Sequence, residues 1–142
     1  MAHRRERPLW ETLATFSSVA ERAVALQPDA DAVIHACSQP GETAPQVARE
    51  AFHLASEYNR LVDWILDCPE NDNLTALRAD LVSQLRYHLI MVHDSVRFAF
   101  PNGRMLNAER YRLRLTGLGT QAAALRATHE RVEALLSAAL SE

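Results

Sequence analysis

The sequence predicts an all-α protein, an antiparallel four-helix bundle with one additional short helix. Three observations carry that prediction. Apolar residues recur at spacings of three and four through four long stretches, the period of one helix face. No stretch alternates apolar and polar residues with the period of two that a half-buried strand needs. The breaks between stretches are short and built on Pro, Gly, Asn and Asp, so successive helices are expected to pack antiparallel.

The first helix is expected to open at Pro8, whose missing N–H has no helical partner at that position anyway. Leu9, Leu13, Phe16, Ala20 and Ala23 form its seam, and Pro28 is expected to end it. A short helix follows, with Asp29 as its N-cap and Ala32, Val33, Ala36 and Cys37 turned inward. The segment 38–44 contains Pro40 and Gly41 and reads as a loop.

Thr43 and Gln46 then have the spacing of a capping box, in which each side chain satisfies the other's free backbone N–H. Behind them Val47, Ala51, Leu54, Tyr58, Leu61, Ile65 and Cys68 keep an unbroken rhythm, widened by Ala48, Phe52, Ala55, Val62 and Leu66. A stripe this wide is expected of a helix with two neighbours. Pro69 stops it, and residues 70–73 supply a turn. The next helix carries Leu74, Leu77, Leu81, Leu85, Leu89, Val92, Val96 and Ala99. Pro101-Asn102-Gly103 is the clearest break. A last helix, capped near Asn107, runs through Tyr111, Leu115, Leu118, Ala122, Leu125, His129, Val132, Leu136 and Ala139. Gly117 and Gly119 interrupt this seam and mark a kink or a close crossing, because each lowers helix propensity by about 1 kcal/mol relative to Ala.

At 142 residues the chain has room for one core, assigned to residues 8–142, with residues 1–7 as a disordered basic arm. The net charge of −3 gives no global attraction to nucleic acid or to anionic membranes. All 15 basic side chains are Arg, and with abundant Ala this points to a GC-rich coding sequence and a bacterial source rather than to phosphate binding. Two cysteines, Cys37 and Cys68, make no disulfide framework, and the charged start MAHRRERP is no secretory leader. A cytoplasmic protein with no membrane segment is expected.

Histidine offers the first candidate chemistry. His88 and His129 lie on or beside the seams of the last two helices, with Glu133 one turn after His129, so the three are the candidate metal ligands. The bland alternative is a pair of satisfied core histidines, and it is preferred, with no cofactor expected. Glu50 and His53 have a Glu-x-x-His spacing, but no second such unit occurs.

The segment from Arg86 to His93 and Asp94 supplies the second candidate. Its Arg followed some turns later by His resembles the motif of HEPN domains, helical ribonucleases of similar size. The resemblance covers this one segment, and a Tyr stands where the family's small polar residue follows the Arg. It implies that Arg86 would bind the scissile phosphate and His93 would act as acid or base.

The third candidate is an arginine cluster, Arg97, Arg104, Arg110, Arg112 and Arg114, opposed only by Glu109 and interleaved with Phe98, Phe100 and Tyr111. It suits an anionic partner, or solvated arginine stems covering apolar surface. No nucleophile motif, phosphate loop or C-x-x-C is present. The reading that remains is a non-catalytic interaction or regulatory module, with surplus apolar helix surface buried in a homodimer or against a protein partner. Nucleic acid is a less favoured partner.

Overall fold

A computed structural model describes residues 8–100, 108–115 and 117–141. All regular structure among them is helical: α1 (Leu9–Ala25), α2 (Gln27–Ser38), α3 (Pro45–Asp67), α4 (Thr75–Ala99), α5 (Ala108–Arg112) and α6 (Gly119–Leu140). A 3-10 turn at Asp72–Leu74 leads into α4. No helix among the described residues is long and apolar enough to cross a membrane. The expected arm of residues 1–7, the Pro101-Asn102-Gly103 break, Arg104 and the Asn107 cap fall outside the described residues.

Pro28 does not end the first helix. Leu26 keeps a right-handed helical conformation; its N–H bonds to the Arg22 carbonyl at 3.1 Å and its carbonyl accepts from Ala30 N–H at 3.0 Å. The chain therefore turns from α1 straight into α2, and Pro28 sits in the first turn, where no N–H is needed. Asp29 lies inside that turn and is not a cap. The helix starts three residues early, and its inward face differs: Ala30, Val33, Ile34 and Cys37 are buried, while Ala32 is exposed and Ala36 only half-buried.

The capping box at Thr43 does not form either. α3 starts at Pro45 behind an extended Ala44, with no side-chain cap. The Thr43 hydroxyl instead accepts from Arg112 Nη2 at 2.8 Å. The predicted seam of α3 is otherwise buried from Ala51 to Cys68, with Val47 packed at its edge. On α4, Leu77, Leu81, Leu85 and Val92 are buried together with two polar residues, His88 and Ser95. Ser95 is satisfied locally, its hydroxyl donating to the Met91 carbonyl.

The predicted last helix is two helices. Gly117 and Gly119 take φ of +83° and +52°, backbone that other residues rarely adopt, and α6 starts only at Gly119. Asp31 on α2 reaches this junction, and its carboxylate accepts from Leu118 N–H at 3.2 Å. The break rotates the register, so Tyr111 is exposed while Leu118, Ala122, Leu125, Thr128 and Val132 are buried.

α3 lies along α4 and α1 along α6, while α2 packs on α4 and α3, and α5 rests on α4. The core between them is led by Phe16 and Tyr58, both under 2% exposed. Burying such a side chain contributes about 1.5–3 kcal/mol. Tyr58 also donates its hydroxyl to the Ala23 carbonyl at 3.2 Å. Burial, with Asp31 and Asp29 nearby, pushes its phenol pKa further up, so it stays neutral. Tyr58→Phe is expected to cost about 1 kcal/mol by urea denaturation, from the lost hydrogen bond alone. A cost near zero would mean that the Ala23 carbonyl is satisfied without it.

Candidate functional site

The candidate residues fall into three separate places. The first is a buried polar centre. His88 is fully enclosed, its ring 5.5 Å from that of Tyr58 and 6.4 Å from that of Tyr87. Nδ1 lies 2.7 Å from the Gln84 carbonyl, an acceptor, so Nδ1 carries the proton. Nε2 is then the acceptor, and Gln27 Nε2 donates to it at 3.0 Å. Gln27 cannot be turned over, because its amide also donates to the Ala122 carbonyl at 3.1 Å and its carbonyl accepts from Arg126 Nη1 at 3.2 Å. This network fixes one tautomer of a neutral imidazole. Burial lowers the His88 pKa, opposed by the Gln84 carbonyl and Asp31. Both ring nitrogens are engaged, so no lone pair points to open space.

His129 stands elsewhere. It is two turns beyond Ala122 on α6, about 10 Å along the helix. Its Nε2 pairs with Glu133 at 3.2 Å, and Glu133 also accepts from the Ser17 hydroxyl of α1. The fold thus joins His129 and Glu133 in an α1–α6 tie and places His88 in a different network. Among the described residues no group of three or more His, Cys, Asp or Glu side chains converges as a metal site.

The second place is an open groove of about 720 Å³. α4 lines it from Thr75 to Ile90, α1 adds Thr12 and Phe16, and Leu66 to Asn71 close one end. Leu66, Tyr87 and Ile90 are exposed here, Ile90 at 53%. Arg78 and Arg86 stand on its wall. Arg78 donates to the Leu66 carbonyl at 2.9 Å and lies 3.7 Å from Glu70, while its Nε is buried with no partner among the described residues. Arg86 is therefore beside an open groove, as a phosphate-binding arginine would need. His93 is not among the groove's lining residues; it is exposed and faces Asp94 at 3.7 Å. The groove takes in one half of the Arg–His motif and leaves the other out.

The third place is the arginine-rich segment, which divides. Arg97, Arg110 and Arg114 are exposed. Arg112 is 5% exposed and works inside the protein. Its Nε donates to the Cys37 carbonyl at 2.6 Å, Nη2 to Thr43 and Nη1 to Glu109 at 3.2 Å. Cys37 supplies one of the last carbonyls of α2, so the guanidinium caps that helix and meets the negative end of its dipole. The Cys37 thiol is pushed up by burial, against the opposing effect of Arg112. Phe98 and Tyr111 stack at a tilt, 5.6 Å apart, and join α5 to α4.

Sequence reasoning passed over Gln27 and Arg78. Neither has a local signal: what gives each its role lies 12 to 99 residues away in the chain. No protein-family model, no curated protein and no solved structure matches this chain.

Proposed function

We propose that the protein is a non-catalytic interaction and regulatory module of the bacterial cytoplasm, built as an antiparallel four-helix bundle with one additional short helix. The helix directions support that architecture: α3 meets α4 with Tyr58 beside His88 at one level and Leu66 beside Arg78 two turns away. One observation carries the functional reading. α3 and α4 hold a complete buried seam and still turn Phe52, Trp64, Leu66, Tyr87 and Ile90 to solvent. Scattered apolar residues are ordinary on a surface, but Leu66, Tyr87 and Ile90 gather on one groove, and such a cluster supports a surface used for assembly. We assign it to a homodimer or a protein partner, with the exposed Arg97, Arg110 and Arg114 as a second contact.

Native mass spectrometry of the full chain tests the reading. The expected result is a dimer that Phe52→Glu shifts toward monomer, with helicity by circular dichroism unchanged. A monomer at all accessible concentrations, with no partner retained by the native chain and lost by the variant, would overturn it.

A further inference from the structure

The groove along α4 says more about its occupant than that it is apolar. Its wall reads Arg78, Val82, Arg86, Ile90, four residues at successive spacings of four, hence one face of α4. Cation and apolar side chain alternate along it. The two arginines leave α4 at positions two turns apart, about 12 Å along the helix, and Val82 and Ile90 fall at the same interval. Among the described residues Glu70 is the only carboxylate on the lining, and it is already beside Arg78. Arg86 makes no hydrogen bond or ion pair with any described residue. Arg78 also holds a buried Nε–H with no acceptor among the described residues.

We propose that this groove takes an acidic amphipathic helix of a partner protein, laid along α4, with carboxylates two turns apart meeting Arg78 and Arg86 and apolar residues between them covering Val82, Tyr87 and Ile90. The proposal rests on the interaction-module reading and narrows it to one partner chemistry. A single-headed small anion would leave the two-turn repeat of cation and apolar side chain unused. A helix repeats its own face at the same two-turn interval, so it matches both. The length also fits. The groove follows α4 from Thr75 to Ile90, about 22 Å, the span of a four-turn helix. Guanidinium recognises carboxylate through paired N–H donors, so a phosphate-free partner suffices.

The probe is a fluorescein-labelled synthetic helix of about sixteen residues, with Leu at spacings of four and Glu two turns apart. Its binding to the full chain is read by fluorescence anisotropy at low salt. Saturable binding is expected, weakened about tenfold by Arg86→Glu and by Ile90→Ser. A peptide carrying Lys in place of Glu is expected to bind the native chain poorly and Arg86→Glu better. Both substituted residues are exposed, so both variants keep native helicity.

Equal binding of the Glu and Lys peptides, or indifference to Arg86→Glu, overturns the proposal. So does absence of peptide binding. Native mass spectra of the same samples separate the causes. If Ile90→Glu dissolves a dimer while the peptide does not bind, the groove's occupant is a second copy, and the interaction reading stands without this partner. If neither peptide nor assembly responds, both fall. Displacement of the peptide by a short RNA with no effect of Ile90→Ser would assign the arginines to nucleic acid, against the proposal.

Discussion

Arg112→Ala lowers the stability of the folded chain by about 2–4 kcal/mol, the cost of stranding buried partners of a removed charge. The Cys37 carbonyl loses its 2.6 Å donor inside the protein, and Thr43 loses the bond that holds the 38–44 loop down. Glu109 is more than half exposed, so water replaces its lost partner and it adds little. Arg112→Lys recovers only part of the loss, because a single ammonium cannot reach both Cys37 and Thr43 as the fork does. Arg110→Ala and Arg114→Ala, at exposed sites in the same cluster, stay within about 0.5 kcal/mol. Urea denaturation of the four variants decides the matter. Equal small losses at 110, 112 and 114 would return Arg112 to the surface cluster.

His88→Leu is expected to cost about 2–4 kcal/mol at pH 7 and to remove a pH dependence that the native chain shows. The cost comes from the lost burial fit of the imidazole and from two groups disturbed at once, one amide N–H of Gln27 directly and Arg126 through the loosened Gln27, while the Gln84 carbonyl keeps its helical bond. The pH dependence follows from linkage. In the unfolded chain His88 titrates near the ordinary value of about 6.5. In the folded protein its pKa is lower, so the unfolded state binds more protons and stability rises with pH. The contribution is present above about pH 6.5 and is lost as pH falls below it, through the depressed folded value, with a slope of at most about 1.4 kcal/mol per pH unit for one proton.

Structure says why the imidazolium is rejected. A proton on Nε2 would face the N–H of Gln27, whose orientation Ala122 and Arg126 hold fixed. Asp31 favours the charged form from α2, while the Tyr58 and Tyr87 rings enclose the site and Arg126 adds a like charge behind Gln27. Denaturation midpoints at pH 7.5 and 5.5 should fall farther for the native chain than for His88→Leu. Parallel behaviour of the two would show that His88 is not the group that titrates.

The parts of this protein that could be read from sequence are those set by one element alone. The seam of α3 is the plain case: a helix of 23 residues repeats its pattern often enough that burial follows from spacing. α2 is the opposite case. At 12 residues it offers few repeats, and Pro28 looks the same ending one helix as starting the next. Thr43 and Gln46 have the letters of a capping box, but a hydroxyl makes one strong choice, and an arginine 69 residues later takes it. The arginine cluster shows the same limit. Five neighbours in sequence looked alike, and only packing could put Arg112 inside. His88 was legible as an inward histidine. That it would be satisfied by Gln27 was not, because an amide next to a proline carries no pattern.

The polar ties that α2 buries among the described residues run to chain that comes much later. Gln27 bonds residues 61, 95 and 99 positions on, Asp31 one 87 on, and Cys37 one 75 on. Closing such distant pairs costs chain entropy before any bond rewards it, whereas α3 and α4 meet across a short turn. The α3–α4 hairpin can thus gather first, and α2 is fastened when α6 arrives. Ties made after the barrier act on the rate of escape from the native state rather than on the rate of reaching it. Gln27, Asp31 and Arg112 accordingly set how long the folded molecule lasts more than how fast it forms.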